Sequence, residues 1–257
     1  MGTFLFNEII FGPIKSRRLG VSLGINLLPT DYKFCTFNCV YCECGWTLKA
    51  DKKIKLPAQE EVKIALEEVL QDYAENGKSI DSITFAGNGE PTIHPKFAEV
   101  IEDTIELRNL YMPNAQISVL SNASQLNKTK VTDALKKVDK NILKLDAGTE
   151  KTYQLINQAQ SHLKFDKIID YLKSFQGNII IQTLFLKGSY QGQAFDNTTK
   201  EEVSAWLKLI KEINPQSVML YPIDRDTPAE DLEKIDAAVL QEIANKVHDL
   251  GIQTEVY

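Results

Sequence analysis

Four cysteines, Cys35, Cys39, Cys42 and Cys44, lie within the stretch KFCTFNCVYCECG (33–45), and the rest of the 257-residue chain has none. Thiols gathered at CxxxCxxCxC spacing point to a disulfide staple, a zinc site or a redox-active cluster. Bridges between residues this close would close only tiny loops and stabilise little. A structural zinc site with four thiolates draws two pairs from separated segments, since four tetrahedral directions are hard to reach from one short loop. An iron-sulfur cube suits the spacing better, because it is large enough for a short loop to wrap and each corner iron takes one thiolate. Cys35, Cys39 and Cys42 would then hold three irons. Cys44 is expected to be a non-ligand, a small partly buried residue beside the loop, because a CxC pair reaching two corners of one cube is geometrically awkward.

A second stretch, AGNGEPTIHP (86–95), has the make-up of a ligand turn. Gly87 and Gly89 free the backbone for positive φ and close approach, and Pro91 fixes the exit; a plain strand-to-helix turn is the simpler alternative. The spacing CxxxCxxC with Tyr41 directly before the third cysteine resembles the cluster loop of the radical S-adenosylmethionine (SAM) superfamily. GNGEPT resembles that family's GGE motif, with Asn88 in place of the middle glycine. Taken with FGPIKSRRLGVSLGINLLP (11–29), these stretches are similar to a subgroup described as wyosine-synthase-like iron-sulfur oxidoreductases.

The resemblance implies a 4Fe-4S cluster on Cys35, Cys39 and Cys42, with the fourth iron left open for the amino and carboxylate groups of SAM. It implies cofactor contacts at Tyr41 and along Gly87, Asn88, Gly89 and Glu90, the turn that meets the amino group of SAM. Ser121, Asn122 and Asp146 would hold the ribose hydroxyls and carboxylate, with Gln182 and Thr183 as further candidates; Asn122 could equally cap the helix that follows it. The chemistry implied is reductive cleavage of SAM to methionine and a 5′-deoxyadenosyl radical, which abstracts hydrogen from a substrate, with a flavodoxin or ferredoxin as electron donor. RNA, a peptide, a small molecule or another protein receiving a radical are the substrate classes open to such an enzyme. The non-enzymatic alternative is an iron-sulfur electron carrier, which would need four ligands and far fewer residues. Demethylwyosine synthases carry further cysteines for a second cluster and act on transfer RNA, and this chain has no cysteine to spare.

These residues need a scaffold. Residues 20–29 read as a strand leading into the cysteine loop and residues 60–74 as an amphipathic helix leaving it. Strands over 82–87, 116–122, 141–148, 178–186 and 217–223 then alternate with helices over 95–109, 129–138, 161–175, 200–213 and 237–250. Six β-then-α units imply a parallel sheet with crossover helices, an α/β fold that curls into a partial (β/α)6 TIM-like barrel of the radical SAM type. Function in such folds collects at the C-terminal ends of the strands, where the ligand residues above fall.

No linker or repeat divides the chain, so residues 1–257 are expected to form one domain, with 1–29 as an N-terminal extension and first strand. No apolar run is long enough to span a bilayer and no export signal is apparent, so a cytoplasmic protein is expected. Net charge is −6, but residues 1–50 carry +2 and the remainder −8. Arg17 and Arg18, beside Ser16, and Arg225, between Asp224 and Asp226, could form a basic mouth for RNA or a small anion, or else be charged surface turns. His94, next to the glycine turn, is the histidine placed for chemistry, with helix entry as its simpler role.

Overall fold

The computed structural model of the chain describes residues 4–47, 54–160 and 164–257. The strands are β1 (Ile10–Ser16), β2 (Gly20–Ile25), β3 (Ser82–Phe85), β4 (Gln116–Ser121), β5 (Lys140–Lys144), β6 (Ile180–Leu184), β7 (Leu186–Tyr190), β8 (Gln193–Asp196), β9 (Ser217–Tyr221), β10 (Leu232–Lys234) and β11 (Gln253–Val256). The helices are α1 (Gln59–Glu75), α2 (Phe97–Tyr111), α3 (Thr129–Leu135), α4 (Glu150–Asn157), α5 (Phe165–Lys173), α6 (Lys200–Ile213) and α7 (Ala237–His248).

Among the described residues, eight strands make the main sheet in the order β1-β2-β3-β4-β5-β6-β9-β11. β1 runs antiparallel to β2, and every later pair is parallel. All six expected strands form, as do the six expected helices, with α5 beginning at Phe165; residues 161–163, including His162, lie outside the described residues. Strands such as SITF and IIQTL are buried at every position, as a parallel sheet covered on both faces requires.

Four features go beyond the expected alternation. β1, IFGPIKS, is largely exposed and its register shifts between Phe11 and Ile14, where Gly12 and Pro13 fit only an edge strand. Residues 10–16 thus add an edge strand to the sheet ahead of the expected first strand. β11 adds a seventh parallel strand beyond β9. A small antiparallel sheet, β10-β7-β8, is inserted at the ends of β6 and β9, and the eight-residue α4 sits between β5 and α5. No helix among the described residues is long and apolar enough to cross a membrane.

The two faces of the sheet differ in chemistry. One buries Ile83, Phe85, Ile117, Val119, Leu143 and Ile181 in the main core beneath the helices. The other carries a polar belt, in which Ser22 and Thr84 hydroxyls lie 2.7 Å apart and those of Ser82 and Ser118 2.9 Å apart. It also carries an apolar patch of Ile142, Ile180 and Met219 from β5, β6 and β9, into which Leu19 packs from the β1–β2 turn. A residue from the first hairpin can touch β5, β6 and β9 only because the sheet curls. Arg17, in the same turn, bonds Asp224 beyond the end of β9 at 2.7 Å, which draws the two sides of the curl together.

The loop after β5 is tied to α6 by Glu202, a buried carboxylate that accepts from the Gly148 amide at 3.0 Å and from the Thr149 and Thr152 hydroxyls at 2.5 and 2.7 Å. The indole of Trp206, one turn on, donates to the Leu145 carbonyl at 3.1 Å. Removing one shared acceptor leaves several buried donors unpaired, so Glu202→Ala should lower stability by about 2–3 kcal/mol. Equilibrium urea unfolding measures it, and Glu202→Gln, which keeps an acceptor, should lose clearly less.

Candidate functional site: a thiol loop at the strand ends

The loop from Lys33 to Gly45 has little regular structure, and its backbone is bonded on two sides to other parts of the chain. On one side Phe34 pairs with Gly89 as an isolated parallel bridge, its amide donating to the Asn88 carbonyl at 2.8 Å and its carbonyl accepting from the Glu90 amide at 3.3 Å. On the other side the loop meets the end of α4: Asn38 donates to the Asn157 carbonyl at 3.0 Å, Val40 to Ile156 at 3.0 Å, and Gln160 to Thr36 at 2.8 Å. A turn closes its tip, with the Cys42 amide donating to the Cys39 carbonyl at 3.1 Å and the Gly45 amide to Cys42 at 2.8 Å.

All four cysteines are free thiols. Three sulfurs sit beside donors. Cys35 Sγ accepts from the Phe37 amide at 3.4 Å and from Asn122 Nδ2 at 3.5 Å, and Cys39 Sγ accepts from Asn157 Nδ2 at 3.5 Å. Cys42 lies against the Lys33 ammonium and the Cys44 thiol. Cys44 behaves differently, because its thiol donates to the Gly87 carbonyl at 3.6 Å. Contact with the Cys44 thiol lowers the Cys42 pKa, Lys33 adding to it against burial, and the same contact together with burial raises Cys44. Burial pushes the Cys35 thiol up to about 12 and raises Cys39 as well, so these two keep their protons until a metal displaces them. Among the described residues no three His, Cys, Asp or Glu side chains are gathered closely enough to hold a single metal ion.

Lys33 is the residue in this loop that sequence reasoning passed over. It is only 2% exposed and its ammonium donates to the Gly45 carbonyl at 2.9 Å, joining the two ends of the loop. Burial opposes its charge, but the thiols of Cys42, Cys35 and Cys39 outweigh that and its pKa is raised.

The glycine turn is built around the same loop. A Cβ on Gly89, at φ +141°, would lie 1.9 Å from the Phe34 carbonyl oxygen, and one on Gly87, at φ +154°, would lie 2.4 Å from Asn26 Oδ1. The close approach these glycines permit is thus to the protein's own chain. Asn88, expected to face SAM, is fully buried, and its side chain is committed inside: Oδ1 accepts from the Phe6 amide at 2.9 Å while Nδ2 donates to the Phe6 and Pro29 carbonyls at 2.8 Å. Glu90 accepts from the Thr92 amide at 3.1 Å and hydroxyl, from Ser121 Oγ at 2.8 Å and from the Asn122 amide at 2.6 Å. Burial raises its pKa against those bonds. Ser121 and Asn122, expected at the ribose, are bonded to Glu90 and the loop, with Asn122 Nδ2 also reaching Thr36 Oγ1 at 3.0 Å.

A second carboxylate supports the far side. Asp146 is buried and accepts from Tyr41 Oη, Asn157 Nδ2 at 2.7 Å, the Leu184 amide at 2.9 Å and Lys144 Nζ at 3.3 Å. Tyr41 and Asp146, read separately as SAM contacts, are therefore one hydrogen-bonded unit that reaches Cys39 through Asn157. Neither Lys144 nor Asn157 stands out in the sequence, since one ends a strand and the other a short helix. Thr183 donates to the Leu145 carbonyl at 2.8 Å and is likewise internal.

A family model for the radical SAM superfamily matches residues 30–193, which hold the thiol loop, the glycine turn and the strands β3 to β7. The chain belongs to the radical SAM superfamily. A protein of Brachyspira hyodysenteriae named GTPase Obg is 30% identical over 96% of this chain and 34% of its own length. A UPF0026 protein of Methanocaldococcus jannaschii is 32% identical over 82% of this chain and 62% of its own length. The chain thus spans less than two thirds of these two relatives. In fold it is similar to a radical SAM methyltransferase from Sphaerobacter thermophilus, with a TM-score of 0.67 and 14% identity over 92% of this chain and 65% of that one. The α/β architecture with a mostly parallel, curled sheet is therefore that of radical SAM proteins.

Within this radical SAM domain the expected basic mouth is largely neutralised. Arg17 is paired with Asp224 at 2.7 Å, and Arg225 with Glu43 of the thiol loop. Lys234 also reaches Asp224, at 3.4 Å. His94 is buried, with Nε2 against the Pro57 carbonyl at 2.9 Å and Nδ1 accepting from the Lys96 amide at 3.2 Å. Burial lowers its pKa, and its place is the entry to α2, the simpler of its two expected roles.

The Gly89–Phe34 contact yields a prediction opposite to the one the sequence alone invites. If Gly89 served only a ligand, Gly89→Val would spare metal binding. Because its Cβ would strike the carbonyl next to Cys35, Gly89→Val should instead cost iron uptake on anaerobic reconstitution with iron and sulfide. Gly77→Asn, at a turn where a Cβ meets nothing within 4 Å, should take up iron like the parent. Iron and sulfide per chain, checked beside circular dichroism, decides it.

Proposed function

We propose that this chain is a radical SAM enzyme that binds a 4Fe-4S cluster through Cys35, Cys39 and Cys42 and SAM at the adjoining strand ends. The observation that carries the reading is the asymmetry among the four sulfurs. Cys35 and Cys39 accept hydrogen bonds, Cys42 lies by a buried ammonium, and Cys44 alone donates, to Gly87. Three sulfurs facing N–H donors or an ammonium, beside a fourth whose thiol is turned to a backbone carbonyl, is the donor set that a cube with one open iron requires.

When bound, the cluster supplies the electron that splits SAM into methionine and a 5′-deoxyadenosyl radical. The chain's own part is positional. Asn122 and Asn157 orient Cys35 and Cys39 from opposite sides, and Lys33 offsets the negative charge that the thiolates bring into a buried loop. Glu90 and Asp146 keep those amides in place. With Asn88, Glu90, Ser121 and Asn122 committed to the loop, the turn from Gly87 to Glu90 meets SAM through backbone, and the curled sheet keeps water from the reacting centre. A flavodoxin or ferredoxin is the class of donor that such a reaction draws on.

The wyosine-synthase-like likeness extends to the loop and turn motifs and stops short of the RNA reaction. All four cysteines of this sequence belong to one loop and supply no ligands for a second cluster, and Arg17 and Arg225, paired with Asp224 and Glu43, present less free positive charge to a phosphate backbone. A substrate smaller than a folded RNA fits these features better.

Cys35→Ala, Cys39→Ala and Cys42→Ala should each abolish cluster assembly, while Cys44→Ala should retain iron and sulfide close to the parent. Retention by one of the first three together with loss in Cys44→Ala would reverse the ligand assignment. In the parent, adding SAM should change the paramagnetic signal of the reduced cluster and dithionite should release methionine. An unchanged signal would mean an electron carrier.

A further inference from the structure

The chain has four arginines, and among the described residues three are matched with carboxylates: Arg17 with Asp224 at 2.7 Å, Arg108 with Asp139 at 3.0 Å, and Arg225 with Glu43. Arg18 is the exception. Its guanidinium lies over the Tyr221 ring, 4.9 Å from the centroid, and its Nη1 is shielded from solvent with no hydrogen-bond partner. Stacking on an aromatic face satisfies the plane of a guanidinium and leaves its edge donors free, which is the arrangement used to grip an oxyanion in two places.

Its position in the fold says where that edge points. Leu19, the next residue, is buried against Ile142, Ile180 and Met219 on the concave face of the sheet, with Leu120 and Tyr257 beside it. One step toward the C-terminal ends on the same face stand Lys144 and Gln182, paired in register, and Tyr221 lies opposite Leu184 at the top of β9. Tyr221 thus lies among two cations: burial raises its pKa, while Lys144 and Arg18 both act to lower it. Lys144 is paired with Asp146 at 3.3 Å, whereas among the described residues Arg18 makes no ion pair and its Nη1 has no acceptor. A guanidinium N–H shielded from solvent with no acceptor is unfavourable unless a ligand supplies one.

We propose that Arg18 is a substrate-binding residue, which holds a carboxylate or phosphate group of the reacting molecule inside the curl of the sheet, above the floor made by Leu19, Ile142, Ile180 and Met219. The proposal rests on the radical SAM reading for calling that molecule the substrate, but the oxyanion site can be tested without it. Two sources of the anion are distinguishable: the substrate, which is the one proposed, and the carboxylate of SAM itself.

The probes are inorganic phosphate and malonate, with binding read as the shift in unfolding temperature and by calorimetry, on reconstituted protein with and without SAM and on protein without iron. Either anion should bind the parent and Arg17→Gln alike. Arg18→Gln should weaken it about ten- to hundred-fold, the loss of hydrogen bonds to a charged group. Arg18→Lys, which keeps the charge and loses the fork, should fall between and covers the case in which Arg18→Gln does not fold. The SAM-induced change in the cluster signal should be the same in Arg18→Lys as in the parent. Equal anion binding by the parent and both Arg18 variants overturns the proposal, as does no anion binding by the parent. Loss of the SAM-induced change with Arg18→Lys overturns it in favour of the SAM carboxylate. Failure of the parent to take up iron while anion binding still depends on Arg18 would overturn the cluster reading alone.

Discussion

The contact on which the site depends is the parallel bridge between Phe34 and Gly89. It sets the backbone of the thiol loop directly against the backbone of the turn that follows β3, with no room for a side chain between them. A loop without regular secondary structure has no ladder of its own to hold its shape, so its geometry must come from what it is bonded to. Here one edge is bonded to a strand end and the other to the end of α4, which leaves the cysteine-bearing turn from Cys39 to Cys42 suspended between two fixed supports. The requirement propagates outward. Gly89 must lack a Cβ, Asn88 must be held flat beneath it, and Phe6 at the start of the described chain supplies part of that hold.

Two buried carboxylates act as struts for the two supports. Glu90 ties the glycine turn to the end of β4, and Asp146 ties the end of β5 to Tyr41 and Asn157. A buried carboxylate is tolerated only when its oxygens are fully bonded, and four donors meet each of these two. Polar residues at the ends of barrel strands invite assignment as ligands. In this chain several are framework, and the sulfurs they steady are what they contribute to chemistry.

Which parts of this could be read in the sequence follows from distance along the chain. The cysteine spacing and the glycine turn are local patterns, and the six parallel strands announce themselves because strands buried on both faces are apolar throughout. β1 and β11 are half exposed and carry no such signal, and β1 is further disguised by Gly12 and Pro13. The partners of Asn88, Asn122 and Tyr41 are 82, 87 and 105 residues away, so their roles could not be seen without the fold. Lys33 was hidden for a related reason, since a lysine beside a loop reads as surface charge until its burial is known.

Arg17 and Arg18 make the same point at the shortest possible separation. They are adjacent and chemically identical, yet one lies outside against Asp224 and the other inside against Tyr221. A curled sheet whose ends do not pair has to be closed by something other than strand bonds, and the β1–β2 turn does so with three consecutive residues. Arg17 bridges the outside of the gap, Leu19 fills the apolar patch within it, and the direction of Arg18 is then determined by its neighbours. The closure that makes the interior a protected space also delivers an unmatched cation into it. A turn kept only for stability would be better served there by an apolar residue, because an N–H shielded from solvent with no acceptor works against folding. An anion held in the interior, as proposed for Arg18, would supply the missing acceptor.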